Sequence, residues 1–160
     1  MGKFCTAQVC LNGHVATSAA DRNPELKEQY CSQCGEPTLT KCNSCESPIR
    51  GDYHVDGVFS FGGVYLPPAF CHNCGEAFPW TERRIESAVE LLQAGADLPS
   101  EELEQFRADL NELSKDGPRV QVAAIRFNKT MAKVGASLAS GVRTVIIDVV
   151  SEAAKKAIWG

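Results

Sequence analysis

Apolar residues recur at helical spacing through the second half of the chain. The segments ERRIESAVELLQAG (residues 82–95) and LPSEELEQFRADLNELSKDG (residues 98–117) each carry apolar side chains three or four positions apart. This spacing is typical of a helix that buries one face. Thr81 and Ser100 stand where N-cap residues are expected. We therefore predict two helices that form an antiparallel pair.

The pattern stays helical from residue 120 to residue 159, with a bend expected between Gly135 and Gly141. We predict a long C-terminal amphipathic helix here, with a narrow apolar stripe. The stripe consists of Val142, Val145, Ile146, Val149, Val150, Ala153 and Ala157. Two interpretations stay open: the stripe completes a small helical core, or residues 120–159 dock a second copy of the chain or a partner protein.

The first eighty residues follow a different pattern, in which short apolar runs alternate with glycine, proline and polar turns. Alternation in YHVDGVFSF and GGVYL predicts two strands joined at Gly62 and Gly63 as a hairpin. Aromatic residues cluster in residues 53–80. We interpret them as the small core of a ribbon, with Phe78 and Trp80 docking the helices. A platform for a peptide or a base is the alternative.

The cysteine distribution divides the chain in the same place, because all eight cysteines precede residue 75. The first fifteen residues lack the apolar run of a secretory signal. We therefore expect a reducing cytoplasm, where adjacent Cys-x-x-Cys pairs favour metal over disulfides. No stretch reaches the roughly 18 uncharged apolar residues that a membrane span needs, so we expect no transmembrane segment.

Three Cys-x-x-Cys pairs predict structural zinc. Such a turn places both sulfurs on one side, within reach of one tetrahedral zinc ion. The pairs are Cys31 with Cys34, Cys42 with Cys45, and Cys71 with Cys74. A thioredoxin-like redox pair would instead open a helix after a strand, and a catalytic zinc would keep an open position beside a general base. We therefore expect no catalytic residue among these cysteines.

Each pair supplies two of the four ligands of a zinc site, which makes it a half-site, so three pairs leave one half-site without a partner. The sequence VCLNGHV supplies a fourth half-site. Cys10 and His14 are separated by three residues, one of which is Gly13, so that a turn can direct a thiolate and an imidazole at one ion. Cys5 with Cys10 is the rival pair, at a looser spacing and without a glycine. His54 and His72 are not expected to be ligands.

The four half-sites can be joined sequentially, nested or crossed. Sequential pairing leaves segments long enough for a hairpin within each site, and we favour it. It predicts two zinc ions per chain: one held by Cys10, His14, Cys31 and Cys34, the other by Cys42, Cys45, Cys71 and Cys74. The predicted fold class is tandem zinc ribbons, at residues 1–40 and 41–80, followed by an all-α region at residues 81–160.

The charge distribution along the chain indicates which kinds of partner it can bind. Residues 81–116 carry 4 Lys/Arg against 10 Asp/Glu, whereas residues 117–160 carry 7 against 2. The basic side chains either contact nucleic acid or anionic lipid, or lie against the acidic helices of the same protein or a neighbouring subunit, which we favour. They include Arg119, Arg126, Lys129, Lys133 and Arg143. The acidic ribbon half is unsuited to a phosphate backbone.

The sequences PIRGDYHVDGV, PPAFCHNCGEAFPWTE and SEAAKKAIWG complete a resemblance that covers the whole chain. The chain resembles a family of uncharacterised bacterial proteins with an N-terminal zinc-ribbon region and a helical tail. The resemblance implies a bacterial cytosolic protein with tetrahedral zinc at the matching cysteines. It implies no activity.

These observations favour a non-enzymatic adaptor. Its zinc ribbons would bind a protein, and its C-terminal helices would oligomerise or dock a partner. The alternative is a nucleic-acid-binding regulator that uses the basic residues 117–160.

Overall fold

Strands and helices occupy separate parts of the chain. The computed structural model describes all 160 residues, and their packing divides them into two units, Met1–Thr81 and Glu82–Gly160. The strands precede residue 55, and five helices follow from residue 79. The predicted fold class, a small β region followed by an all-α region, is confirmed.

Two small antiparallel sheets form the first unit, one with the order β1-β5 and the other with the order β3-β2-β4. The strands are β1 (Lys3–Thr6), β2 (Gln8–Cys10), β3 (Val15–Thr17), β4 (Thr38–Leu39) and β5 (Arg50–His54). Phe4 lies opposite Tyr53 in the first sheet. Strands β1 and β5 therefore join segments from both sides of residue 40, the boundary that the sequence predicts between two ribbons.

The core of the first unit is small, because the strands are short and the cysteine turns occupy much of the chain. Its fully apolar members are Ala7, Val9, Ile49, Phe78 and Trp80, packed against Cys42 and Cys71. Phe78 and Trp80 stack with their ring centroids 4.6 Å apart. The indole N–H of Trp80 donates to the carbonyl of Pro68 at 3.0 Å, so the buried ring keeps its polar partner.

The predicted hairpin at residues 53–66 is wrong. Strand β5 ends at His54, and residues 55–69 form no strand. The N-terminal strand β1 is the partner of β5, so the local alternation of apolar residues gave the wrong pairing. Tertiary pairing decides which alternating segment becomes a strand.

The aromatic residues of this segment do not all enter the core, so their interpretation as a small core is wrong for three of them. Tyr53 is 57% exposed, Phe59 90% and Phe61 102%, and the aliphatic neighbours Val58 and Val64 are 61% and 90% exposed. We call residues 58–66 the apolar loop.

The second unit is built around its third helix, which contacts the second, fourth and fifth. The helices are α1 (Pro79–Gly95), α2 (Ser100–Leu113), α3 (Val120–Val134), α4 (Ala136–Ile146) and α5 (Glu152–Trp159). Phe106 of α2 stacks on Phe127 of α3 with ring centroids 5.7 Å apart. Arg107 of α2 also forms an ion pair with Glu86 of α1.

The start of α1 differs from the sequence prediction. The helix begins at Pro79, where proline is favoured because the first helical N–H needs no partner. Thr81 is therefore a helical residue, and the prediction that it caps the helix is wrong. Its hydroxyl donates instead to the carbonyl of Ala69 at 2.9 Å.

Three helices replace the single long C-terminal helix of the sequence prediction. Gly135 separates α3 from α4 with φ of 87°, inside the interval where a bend was expected. A second break precedes α5, where the hydroxyl of Ser151 accepts the N–H of Ala154 at 3.1 Å. The predicted apolar stripe faces the core of the second unit, with Val142, Ile146, Val149 and Val150 buried there.

A close backbone approach at Gly51 generates a stability prediction. A Cβ at Gly51 would lie 1.8 Å from the carbonyl oxygen of Ser18, and a backbone atom cannot move aside as a side chain can. We expect Gly51→Ala to lower the free energy of unfolding of the first unit by about 2–3 kcal/mol. The measurement is urea unfolding of the metal-loaded protein, followed through Trp80 in a Trp159→Phe background.

Gly63→Ala is the matched control, because a Cβ at Gly63 meets no atom within 4 Å. We expect this variant to change the free energy of unfolding by less than about 0.5 kcal/mol. Equal stability of the two variants would contradict the close approach at Gly51.

Candidate metal centre

The three Cys-x-x-Cys turns share one backbone arrangement. In the first, the N–H of Cys31 donates to the carbonyl of Glu36 and the N–H of Gly35 donates to the carbonyl of Cys31, both at 2.8 Å. The turns that begin at Cys42 and Cys71 repeat both bonds at 2.8–2.9 Å. These hydrogen bonds hold both sulfurs on the same side of each turn, and they involve backbone atoms alone.

A left-handed residue follows the second cysteine of every turn. Gly35 and Gly75 have φ of 77° and 79°, and Glu46 occupies the corresponding position with φ of 62°. Glycine adopts this conformation without steric cost, whereas glutamate adopts it at a steric cost. The turn at Cys42 thus forms in spite of its sequence, since its hydrogen bonds match those of the other two.

The first donor group joins the end of β2 to the first Cys-x-x-Cys turn. Its members are Cys10, His14, Cys31 and Cys34. The Nδ1 atom of His14 lies 3.6 Å from the Sγ atom of Cys10 and 3.5 Å from that of Cys31. The Sγ atoms of Cys10 and Cys34 are 3.7 Å apart. A turn through Gly13, with φ of 93°, brings the imidazole back to the thiol.

The second donor group joins the other two turns. Its members are Cys42, Cys45, Cys71 and Cys74. The Sγ atoms of Cys42 and Cys74 are 3.7 Å apart, and those of Cys45 and Cys71 are 3.6 Å apart. Sequential pairing of the half-sites is therefore confirmed, and nested and crossed pairing are excluded.

Both groups have the compactness that metal binding requires. Within each group the donor atoms all lie within 4.8 Å of one another. All eight cysteines are free thiols, and the separations of 3.6–3.7 Å between sulfurs are far longer than the roughly 2.05 Å of a disulfide. Each group could hold one metal ion.

Backbone N–H groups surround the sulfurs and donate hydrogen bonds to them. The N–H groups of Asn12 and His14 each donate to the Sγ atom of Cys10 at 3.3 Å. The N–H of Gln33 donates to Cys31, and the N–H of Asn73 to Cys71, each at 3.4 Å.

The pKa values of the cysteine thiols do not all shift in the same direction. The N–H of Glu36 lowers the pKa of Cys34 to about 6, and hydrogen bonds from Ser47 lower the pKa of Cys45 to about 6. The N–H of Glu76 likewise lowers the pKa of Cys74, but desolvation and the three neighbouring sulfurs raise it to about 12. Crowded sulfurs cannot all ionise unless a cation compensates their charge.

Cys5, His54 and His72 lie outside both groups. Cys5 is buried, and this burial raises the pKa of its thiol. Both ring nitrogens of His54 have other partners. Arg22 lies 2.7 Å from Nδ1, and Asp56 lies 3.0 Å from Nε2. His72 lies within the third turn, between Cys71 and Cys74, and is exposed. The structure thus places His14, and not Cys5, beside Cys10.

The sequence did not predict that the side chains of the apolar loop are exposed, because residue spacing does not reveal exposure. It also missed the left-handed Glu46. The available signal was the repeat itself, since Glu46 aligns with Gly35 and Gly75 when the three turns are superposed on their cysteines.

The fold and these groups define a class of protein: a small β region with two Cys/His groups that could each hold a metal ion, followed by five helices. The chain belongs to the family described as "Uncharacterized protein conserved in bacteria (DUF2321)", whose model matches residues 3–158. No match was found among curated proteins or solved structures. The resemblance noted from the sequence is confirmed, and the description of the family gives no activity.

The two groups generate a prediction of metal content. We expect Cys74→Ser to reduce the metal content from two ions per chain to one after dialysis against a weak chelator, because a hydroxyl is a poor substitute for a thiolate. The helical content, read from circular dichroism, should persist, because the helices have their own core.

Cys5→Ala is the matched control, since it removes a buried cysteine that belongs to neither group. It should retain both ions. Retention of two ions by Cys74→Ser, or loss of one by Cys5→Ala, would contradict the assignment of the ligands.

Proposed function

We propose that this chain is a zinc-binding, non-enzymatic adaptor of a reducing cytoplasm. Two zinc ions hold the first unit in one conformation, and that unit binds protein. The observation that carries the proposal is the spacing of the eight donor atoms.

The spacing matches tetrahedral zinc. Zinc bonds of about 2.3 Å to sulfur and about 2.05 Å to nitrogen require tetrahedral edges of roughly 3.8 Å between sulfurs and roughly 3.6 Å between sulfur and nitrogen. The separations between sulfurs are 3.6–3.7 Å, and those from His14 Nδ1 to sulfur are 3.5–3.6 Å. Thiolate and imidazole donors also favour zinc over magnesium or calcium, which prefer oxygen.

The donor sets support a structural role. Each group supplies four protein ligands, so a bound zinc ion would have no open position for water or substrate. A zinc ion in such a site cross-links the chain segments that supply its ligands. The few apolar side chains of the first unit form too small a core to fold without such cross-links.

The distribution of exposed apolar side chains supports protein binding by the first unit. Of the large hydrophobic side chains that are exposed, only Val122 and Ile125 belong to the second unit. The others lie in the first unit, several of them in the apolar loop. Exposed apolar clusters mark interaction surfaces in proteins that are otherwise soluble.

The basic residues support the adaptor over a nucleic-acid-binding regulator. Arg126 lies 3.5 Å from buried Asp109, and Lys133 lies 3.1 Å from Glu102. The guanidinium of Arg143 lies over the ring of Trp159 at 4.8 Å. Three of the seven basic side chains of residues 117–160, those of Arg126, Lys133 and Lys155, pair with acidic side chains of the second unit, and less basic charge is left for phosphates.

Chelation tests the proposed function. The purified protein should contain two zinc ions per chain by elemental analysis. Their removal should raise hydrogen exchange throughout residues 1–81, because metal binding supplies folding free energy there, while residues 82–160 keep their protection. Iron in place of zinc, fewer than two ions, or unchanged exchange in residues 1–81 after chelation would contradict the proposal.

A further inference from the structure

We propose that the apolar loop pairs two copies of this chain around a two-fold axis. The inference rests on the proposed function, in which the first unit binds protein, and it names the partner as a second copy.

The first step is the area that the loop exposes. Phe59 and Phe61 are 90% and 102% exposed, Val64 is 90%, Val58 61% and Leu66 56%. The two phenylalanines alone offer about 400 Å². With the three aliphatic side chains the loop approaches the roughly 800 Å² per partner that a standard protein interface buries.

The second step is the backbone of the loop. Its sequence alternates as a strand does, yet no strand of the chain pairs with it. Within residues 58–66, only the N–H of Val58 donates to a backbone carbonyl, that of Val55 at 3.2 Å. Unpaired N–H and C=O groups beside exposed apolar side chains form an edge that can pair with another strand. The same loop of a second copy supplies such a strand in antiparallel orientation.

The third step is charge. Residues 57–75 contain no Lys, Arg, Asp or Glu. A two-fold axis brings the same patch of both copies together, so any net charge in the loop would meet its own sign. The uncharged sequence suits this self-contact. A bilayer of anionic lipid is a poor alternative, because the first unit carries 5 Lys/Arg against 8 Asp/Glu and thiolate-bound zinc adds negative charge.

The fourth step is the attachment of the loop. The hydroxyl of Tyr65 donates to the carbonyl of Arg50 at 2.5 Å, and Tyr65 packs partly buried against the core of the first unit. At the other end, Gly57 turns the chain with φ of 78°. The loop is thereby anchored at Tyr65 while Phe59 and Phe61 remain exposed, which lowers the entropic cost of binding.

Sedimentation equilibrium of the full zinc-loaded chain tests the pairing. Wild type should show a reversible monomer–dimer equilibrium. Phe59→Ser/Phe61→Ser should raise the dissociation constant about 100-fold or more, because apolar anchors dominate interface energetics. Both side chains are exposed, so this variant should keep two zinc ions per chain, which elemental analysis checks.

Val122→Ser/Ile125→Ser is the matched control, since it removes an exposed apolar pair from α3. It should leave the dissociation constant unchanged. A dimer abolished by the control variant but retained by the loop variant would assign self-association to the helices and overturn the proposal.

Two further measurements separate the remaining outcomes. Hydrogen exchange at residues 58–66 should slow as concentration rises, and a dimer without this protection would overturn the proposal. A protein that stays monomeric at all concentrations would also overturn the proposal. If that monomer still contained two zinc ions, the proposed zinc-held first unit would not be contradicted. Binding to phosphatidylcholine–phosphatidylglycerol vesicles that depends on Phe59 and Phe61 would assign the loop to membranes instead.

Discussion

Mutual repulsion of crowded thiolates, which a bound cation would relieve, is the main physical constraint in the first unit. In each group four donors converge so closely that the sulfurs cannot all ionise unaided. A divalent ion bound by each group would reverse this balance. The donors of the two groups come from β2, from the turn through Gly13 and from the three Cys-x-x-Cys turns. Two bound ions would therefore hold together a unit whose own core is small.

The turns prepare the sites locally, and the strands bring them together. Two hydrogen bonds within each turn direct its sulfurs, and the pairing of β2 with β4 places Cys10 opposite Thr38, close to the turn that carries Cys31 and Cys34. The helical unit depends on a different interaction, the burial of Phe106 and Phe127 among aliphatic side chains. None of its helices combines the length and the hydrophobicity that a membrane span requires.

Residue spacing predicted the metal groups well, because ligand geometry is set over three or four residues. Cys10 with His14 follows from such a short distance, and the sequential pairing follows from the length of the segments between the half-sites. The strand partner of β5 does not, since β1 lies more than forty residues away in sequence. The predicted start of α1 was also wrong. Thr81 was expected to cap the helix, whereas the hydroxyl of Thr81 donates to the carbonyl of Ala69. The apolar loop has an ordinary strand pattern, and only the fold shows that no strand of the chain pairs with it.

X-ray absorption at the zinc edge tests the central claim most directly, because it counts the donor atoms around the metal. Seven cysteines and one histidine shared by two ions predict an average shell of about 3.5 sulfurs at about 2.3 Å and about 0.5 nitrogen at about 2.05 Å per zinc. A shell of four sulfurs would place Cys5 where His14 is assigned. A shell dominated by oxygen would contradict the whole account of a unit held by thiolate-bound zinc.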